Sequence, residues 1–174
     1  MGTKRVGLAR TQALVENLKR ELDMNSSNLT DVNIKRRVID LDGATKTVTA
    51  AESGAIFTFD GTACTVTLPQ AAVGLEYTFV VGATQTGNAV ITTQTADGLA
   101  GALLTTTAAF NSTNLTNTTS VIDSWAATID TLTMDGTTQG GIVGSRIHVV
   151  AVSATMWQVS GINIGSGTLV TVAS

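Results

Sequence analysis

The sequence predicts an all-β protein: an antiparallel sandwich, barrel or jelly-roll-like body carrying an N-terminal amphipathic α-helical arm. Three observations predict it. From Ile39 onward apolar residues alternate with threonine over short stretches, the two-residue period of a half-buried strand. Asp-Gly pairs punctuate those stretches at Asp42-Gly43, Asp60-Gly61, Asp97-Gly98 and Asp135-Gly136. Charged residues make up only 13% of the chain, against about 25% in ordinary globular domains.

The arm comes first. Between Leu8 and Met24, Thr11, Leu14, Val15, Leu18 and Leu22 recur at three- and four-residue steps, so they share one helical face. A helix this short is marginal in water by itself and needs a surface for its leucines. Asn25 to Thr30, reading NSSNLT, ends the pattern with side chains that compete for backbone hydrogen bonds. The division drawn from these signals is 1–34 as a basic anchoring arm and 35–174 as an all-β body.

Within the body, Ile39 and Leu41 alternate with Asp40. Phe57 and Phe59 flank Thr58 before Asp60-Gly61, and Cys64, Val66 and Leu68 follow it, which is the pattern of a hairpin. Pro69, the sole proline, stops that strand because it cannot donate to a ladder. Tyr77, Phe79 and Val81 form the next face, then Ala89 to Ile91. Ala96 to Thr119 shows no sustained period and reads as long loops with short strands. Val121 to Met134 returns to a strand pattern. Arg146 to Val152 is apolar on both faces, as in a central strand; Met156 to Val159 with Trp157 follows, and Ile162 to Val172 is an alternating tail. No fixed repeat of about 20–50 residues is visible, which argues against a propeller or solenoid.

Charge is divided along the chain. Residues 1–40 hold eight Lys or Arg against five acids, a net of +3, while residues 41–174 hold Lys46 and Arg146 against eight acids, a net of −6. Such asymmetry marks an arm that meets something acidic. The basic residues Lys4, Arg5, Arg10, Lys35, Arg36 and Arg37, with the apolar face of Leu14, Val15, Leu18 and Leu22, are the candidate partner-binding residues. Nucleic acid is the weaker partner, because the arm has no aromatic on which a base could stack. No secretory leader is evident, and no apolar run approaches the ~20 residues of a membrane span, so no membrane partner is expected.

Chemistry is sparse. Cys64 is the single cysteine and His148 the single histidine, so neither a disulfide within the chain nor a cysteine-rich metal site is possible. Cys64, in phase with Val66 and Leu68, reads as a small buried hydrophobe, and His148, inside an apolar strand, as a satisfied core imidazole. Each Asp-Gly acid is explained by its turn. No phosphate-cradling, dinucleotide-binding, zinc-protease or hydrolase motif occurs. The expectation is a protein that is not an enzyme, with no catalytic residue, no cofactor and no metal.

The stretch GAIFTFDGTACTVTLPQAAVGLEYTFVVG, a following ADG turn, the segment GSRIHVVAVSATMWQVSG with its Gly-Ser-Gly-Thr tail, and the opening GLARTQALVENLKRELDM resemble virion structural proteins of tailed bacteriophages. The likeness is greatest to small capsid decoration, or cement, proteins and to some fibre segments. It implies a β-rich body on the capsid surface of the virion, made in the host cytoplasm, self-associating as a homotrimer and contacting the major capsid protein. A tail or head fibre component that attaches to the host surface is the alternative, with Trp125 and Trp157 as a sugar-stacking platform.

Overall fold

The computed structural model describes residues 35–43, 45–94, 96–107 and 120–173, with Gly7, Thr11 and Gln12 of the N-terminal segment. The chain divides into two units, Met1–Lys35 and Arg36–Ser174. Apart from Thr11 and Gln12, the helical arm expected over Leu8 to Met24 lies outside the described residues.

The described body is all-β apart from one short 3-10 turn, Ala50–Glu52. Its strands are β1 (Val38–Leu41), β2 (Lys46–Thr47), β3 (Ile56–Phe59), β4 (Cys64–Thr67), β5 (Glu76–Val81), β6 (Ala89–Thr92), β7 (Gly98–Thr107), β8 (Ser120–Ile129), β9 (Thr131–Met134), β10 (Arg146–Ala151) and β11 (Met156–Gly165). A seven-stranded sheet runs β1-β3-β5-β10-β11-β7-β8 and a four-stranded sheet runs β2-β4-β6-β9.

The sheets are mixed, which corrects the expected purely antiparallel body. β1, β3 and β5 are parallel to one another in the large sheet, and β2, β4 and β6 are parallel in the small one. Successive strands therefore alternate between sheets, and β1–β2, β3–β4 and β5–β6 are turns of a two-sheet coil. The solenoid argued against by the absence of a period is present locally. Val38 lies beside Ile56 and Ile56 beside Thr78, while Lys46 lies beside Val66 and Cys64 beside Ala89. The step differs each time, so no fixed repeat shows in the sequence.

For the same reason β3 and β4 are not the expected hairpin. Asp60-Gly61 is a corner that carries the chain from one sheet to the other. Asp60 Oδ1 accepts from Thr62 N at 3.0 Å and Thr62 Oγ1 at 2.7 Å, while Gly61 takes φ +100°. The Gly61 carbonyl then accepts from Thr86 N at 2.8 Å, and Cys64 N donates to the Asn88 carbonyl at 3.1 Å, so the corners of adjacent turns are stacked by backbone bonds.

The rest of the body closes the coil with antiparallel partners: β10 on β5, β11 on β10, β8 on β7 and β9 on β6. β10 is the central strand its two apolar faces predicted. β7 corrects the expectation of long loops with short strands over Ala96 to Thr119 in its first half: it is ten residues long, parallel to β11, and rich in Gly, Ala and Thr rather than periodic. The 121–134 stretch is two strands in different sheets, divided at Asp130.

Both sheets contribute to one core. Leu41, Phe57, Phe59, Tyr77, Phe79, Val81, Ile147, Val149, Trp157 and Val159 come from the large sheet, and Cys64, Val66, Ile91, Leu132 and Met134 from the small one. Parallel stacking brings aromatics of successive turns into contact, with Phe57 and Phe79 centroids 5.4 Å apart and Phe59 and Phe79 6.1 Å apart. Such pairs add about 0.5–1.5 kcal/mol beyond the area they bury.

Candidate interaction surface

Of the predicted partner-binding residues, Lys4, Arg5, Arg10, Leu14, Val15, Leu18 and Leu22 lie outside the described residues. Lys35, Arg36 and Arg37 are described and exposed. Two of these three are committed to the body. Arg36 Nε donates to the Gly54 carbonyl at 2.8 Å, and its guanidinium lies 3.5 Å from Glu76. Arg37 approaches Glu52 at 4.0 Å, and its carbonyl accepts from Ile56 N at 2.9 Å, starting the β1–β3 ladder. Lys35 makes no ion pair among the described residues.

Glu52 organises this junction. It is buried, yet Lys46 Nζ reaches it at 2.8 Å, and Thr49 N and Thr49 Oγ1 donate to its other oxygen at 2.9 and 3.1 Å. Burial alone would raise its pKa, but the hydrogen bonds from Lys46 and Thr49 outweigh that and hold it below the usual carboxylate range. The Thr49 carbonyl accepts from Tyr77 Oη at 3.0 Å, and burial, then the charge of Glu52, pushes the phenol up.

A pH dependence follows. A carboxyl whose folded pKa is depressed stabilises the fold above its unfolded value of about 4.3, and that contribution is lost as pH falls through the lower folded value. The urea midpoint should therefore fall as the medium is acidified below about pH 4.3. Glu52→Gln should flatten that fall and cost roughly 1.5–3 kcal/mol at neutral pH, the worth of hydrogen bonds to a charged group. Urea titrations across the pH range, read by circular dichroism, check both.

His148 corrects another expectation. It is not in the core but on the outer face of β10, a third exposed, with Nε2 3.7 Å from Glu76 Oε2. It pairs across the sheet with Ser160. A Ser-His-acid relay needs hydrogen bonds through all three groups. Among the described residues none joins Ser160 to His148, and the His148–Glu76 separation exceeds hydrogen-bond length. These residues border a groove of about 580 Å³ lined by Gly144, Arg146, His148, Ser160, Gly161, Ile162 and Ile164.

A second hollow, about 460 Å³, is lined by Asp97, Asp130, Ser153, Thr155 and Met156 among others. Its buried acid is already committed, since Asp97 Oδ2 accepts from Ala71 N at 2.7 Å and ties the β4–β5 connection to the start of β7. Asp97 thus does more than shape a turn. Asp135 does what its turn predicted: opposing the effect of burial, hydrogen bonds from Thr137, Gln139 and Thr138 keep its carboxyl low. No group of three or more His, Cys, Asp or Glu is placed to hold a metal among the described residues. No helix among them is long and apolar enough to cross a membrane.

Cys64 is buried as its phase predicted, and burial followed by the charges of Asp60 and Asp42 pushes its thiol up. Trp157 is fully buried and Trp125 half-buried, so a sugar-stacking role would rest on Trp125 alone. The sequence reading missed Glu52 and Glu76 as partners of Arg36 and Arg37, because those pairs join residues brought together only by the coil. No protein-family model matches the chain, and no curated protein or solved structure compared with it matches either.

Proposed function

We propose that this protein is a non-enzymatic structural component of a tailed-bacteriophage particle, a capsid decoration protein that binds the outer surface of the assembled shell and stabilises it. The observation that carries the reading is the division of charge, together with where the body spends it. Arg36 and Arg37 are tied to Glu76 and Glu52, so in this reading Lys4, Arg5, Arg10 and Lys35 are the cations offered to the major capsid protein. The helical arm would lay Leu14, Val15, Leu18 and Leu22 on that subunit, each burial being worth about 1.5–3 kcal/mol. The low-charge β body supplies bulk and self-association.

A ligand that binds only the assembled shell stabilises it by mass action, in proportion to RT ln(1 + [L]/Kd) at every site. Deleting residues 1–30 should abolish co-sedimentation with capsids stripped of the protein, while circular dichroism of the truncated chain keeps its β signature. Undiminished attachment would remove the arm from the mechanism. Copy number separates the fibre alternative: hundreds per particle accord with decoration, a few dozen or fewer with a fibre.

A further inference from the structure

We propose that the outer face of the large sheet carries a contact between copies of this chain, in which Arg146 and Ile162 of one copy receive Asp40 and Val38 of another. The inference rests on the self-association in the reading above but not on capsid attachment.

The register places Asp40, Thr58, Val80, Arg146, Ile162, Leu104 and Ile122 in one continuous row across seven strands. One end of that row is apolar and open to solvent: Ile162 is 50% exposed, Leu104 39% and Ile122 71%. Neighbouring strands lie about 4.8 Å apart, so the three branched side chains form one contiguous strip. Scattered exposed aliphatics need no explanation, but a contiguous strip beside a groove marks an interaction surface. Arg146 flanks this strip and makes no ion pair among the described residues. Glu76 of the neighbouring strand lies opposite Val150, four positions along β10 from Arg146, and is already shared between Arg36 at 3.5 Å and His148 at 3.7 Å. The groove therefore offers an apolar wall and an unneutralised guanidinium, and it fits a surface that presents an aliphatic side chain beside a carboxylate.

The other end of the same face presents that pair. β1 is the last strand of the large sheet. Val38 is 63% exposed, Asp40 is exposed, and both point outward from the same face of the strand. Two positions along a strand span roughly 6.6 Å. Arg146 and Ile162 face each other directly across β10 and β11, at about 5 Å, and the long arginine side chain covers the difference. Asp40 makes no ion pair among the described residues. Because β1 lies three strands from β10 in one rigid sheet, roughly 14 Å at the usual strand spacing, a copy cannot satisfy itself. Pairing Arg146 with Arg146 would oppose like charges. Because both patches lie on one face, Asp40 meets Arg146 of another copy either reciprocally about a two-fold axis or head to tail in a closed ring.

The test is charge exchange, read by sedimentation velocity on the full chain at low salt. The parent chain should associate at micromolar concentration. Arg146→Asp and Asp40→Arg should each weaken association at least tenfold, and the double variant should restore it. A parent chain that stays monomeric to about 100 μM overturns the contact, as do single variants that associate normally or a folded double variant that stays apart. If either variant loses its circular dichroism signature, Val38→Asp with Ile162→Lys poses the same question with a new ion pair. Co-sedimentation of the variants with stripped capsids separates the two readings. Arg146→Asp that abolishes capsid attachment in a chain monomeric throughout assigns the groove to the shell subunit and overturns the contact between copies. Intact self-association without attachment sinks the decoration reading alone.

Discussion

Trp157→Ala is expected to destabilise the body by about 3–5 kcal/mol, the usual cost of emptying a buried aromatic site. Trp157 lies on β11 between Ala151 of β10 and Leu99 of β7, is fully buried, and has its ring centroid 5.7 Å from that of Tyr77. It thus sits where the coiled half of the large sheet meets the β11-β7-β8 half, and a cavity there loosens both. Trp157→Phe should cost much less. The phenyl ring keeps most of the contact with Tyr77, and the indole Nε1 is buried without a partner, so its loss removes an unsatisfied donor. Urea unfolding followed by far-ultraviolet circular dichroism measures both variants. A Trp157→Ala cost below about 1 kcal/mol, outside the range for buried aromatics, would mean that the ring does not join the two halves.

Asn163→Ala should be nearly as damaging, for a different reason. Asn163 is fully buried on β11; its Oδ1 accepts from Gly141 N at 2.9 Å and its Nδ2 donates to the Gln139 carbonyl at 2.8 Å. One side chain thereby satisfies two backbone groups of the 135–141 turn, where Gly140 and Gly141 both have positive φ. Alanine orphans a donor and an acceptor, at about 1–3 kcal/mol each. Asn163→Asp keeps the acceptor and loses the donor, so it should fall between alanine and the parent. Hydrogen exchange at the Gly141 amide reads the loss directly, and unchanged protection in Asn163→Ala would show that the turn does not depend on this amide.

These two residues illustrate what the sequence made legible. Trp157 stood in an apolar strand, where a core place is usual although a sugar-stacking role was weighed beside it, and alternation gave the shared faces of Phe57 and Phe59 and of Cys64 and Val66. Alternation is local, and it reports which way a side chain points. It does not report the neighbouring strand, so β3 and β4 read as a hairpin although each pairs with a strand a full turn of the coil away. Asp-Gly suits a hairpin and a sheet-to-sheet corner equally well, and only the Thr86 and Asn88 backbone bonds distinguish them. β7 escaped notice because Gly101, at φ +144°, sits against the Val159 backbone where a Cβ would collide, and such close approach leaves no hydrophobic signature. At the junction, Arg36 and Arg37 were visible as cations, but the acids that hold them come from later turns. His148 was misplaced for a related reason: with both faces of β10 apolar, the pattern could not tell the core side from the groove.

Winding the first six strands between two sheets also sets the order in which the chain can assemble. Every ladder of the coil joins strands with another strand between them in sequence, so the cost of loop closure falls due before the first bond forms. The pairing of β10 with β11, closed by the short turn at Ser153 to Thr155, is the least expensive one in the large sheet. Loop-closure cost alone therefore favours that hairpin as the first ladder of the large sheet to form, with β5, β3 and β1 adding outward from it.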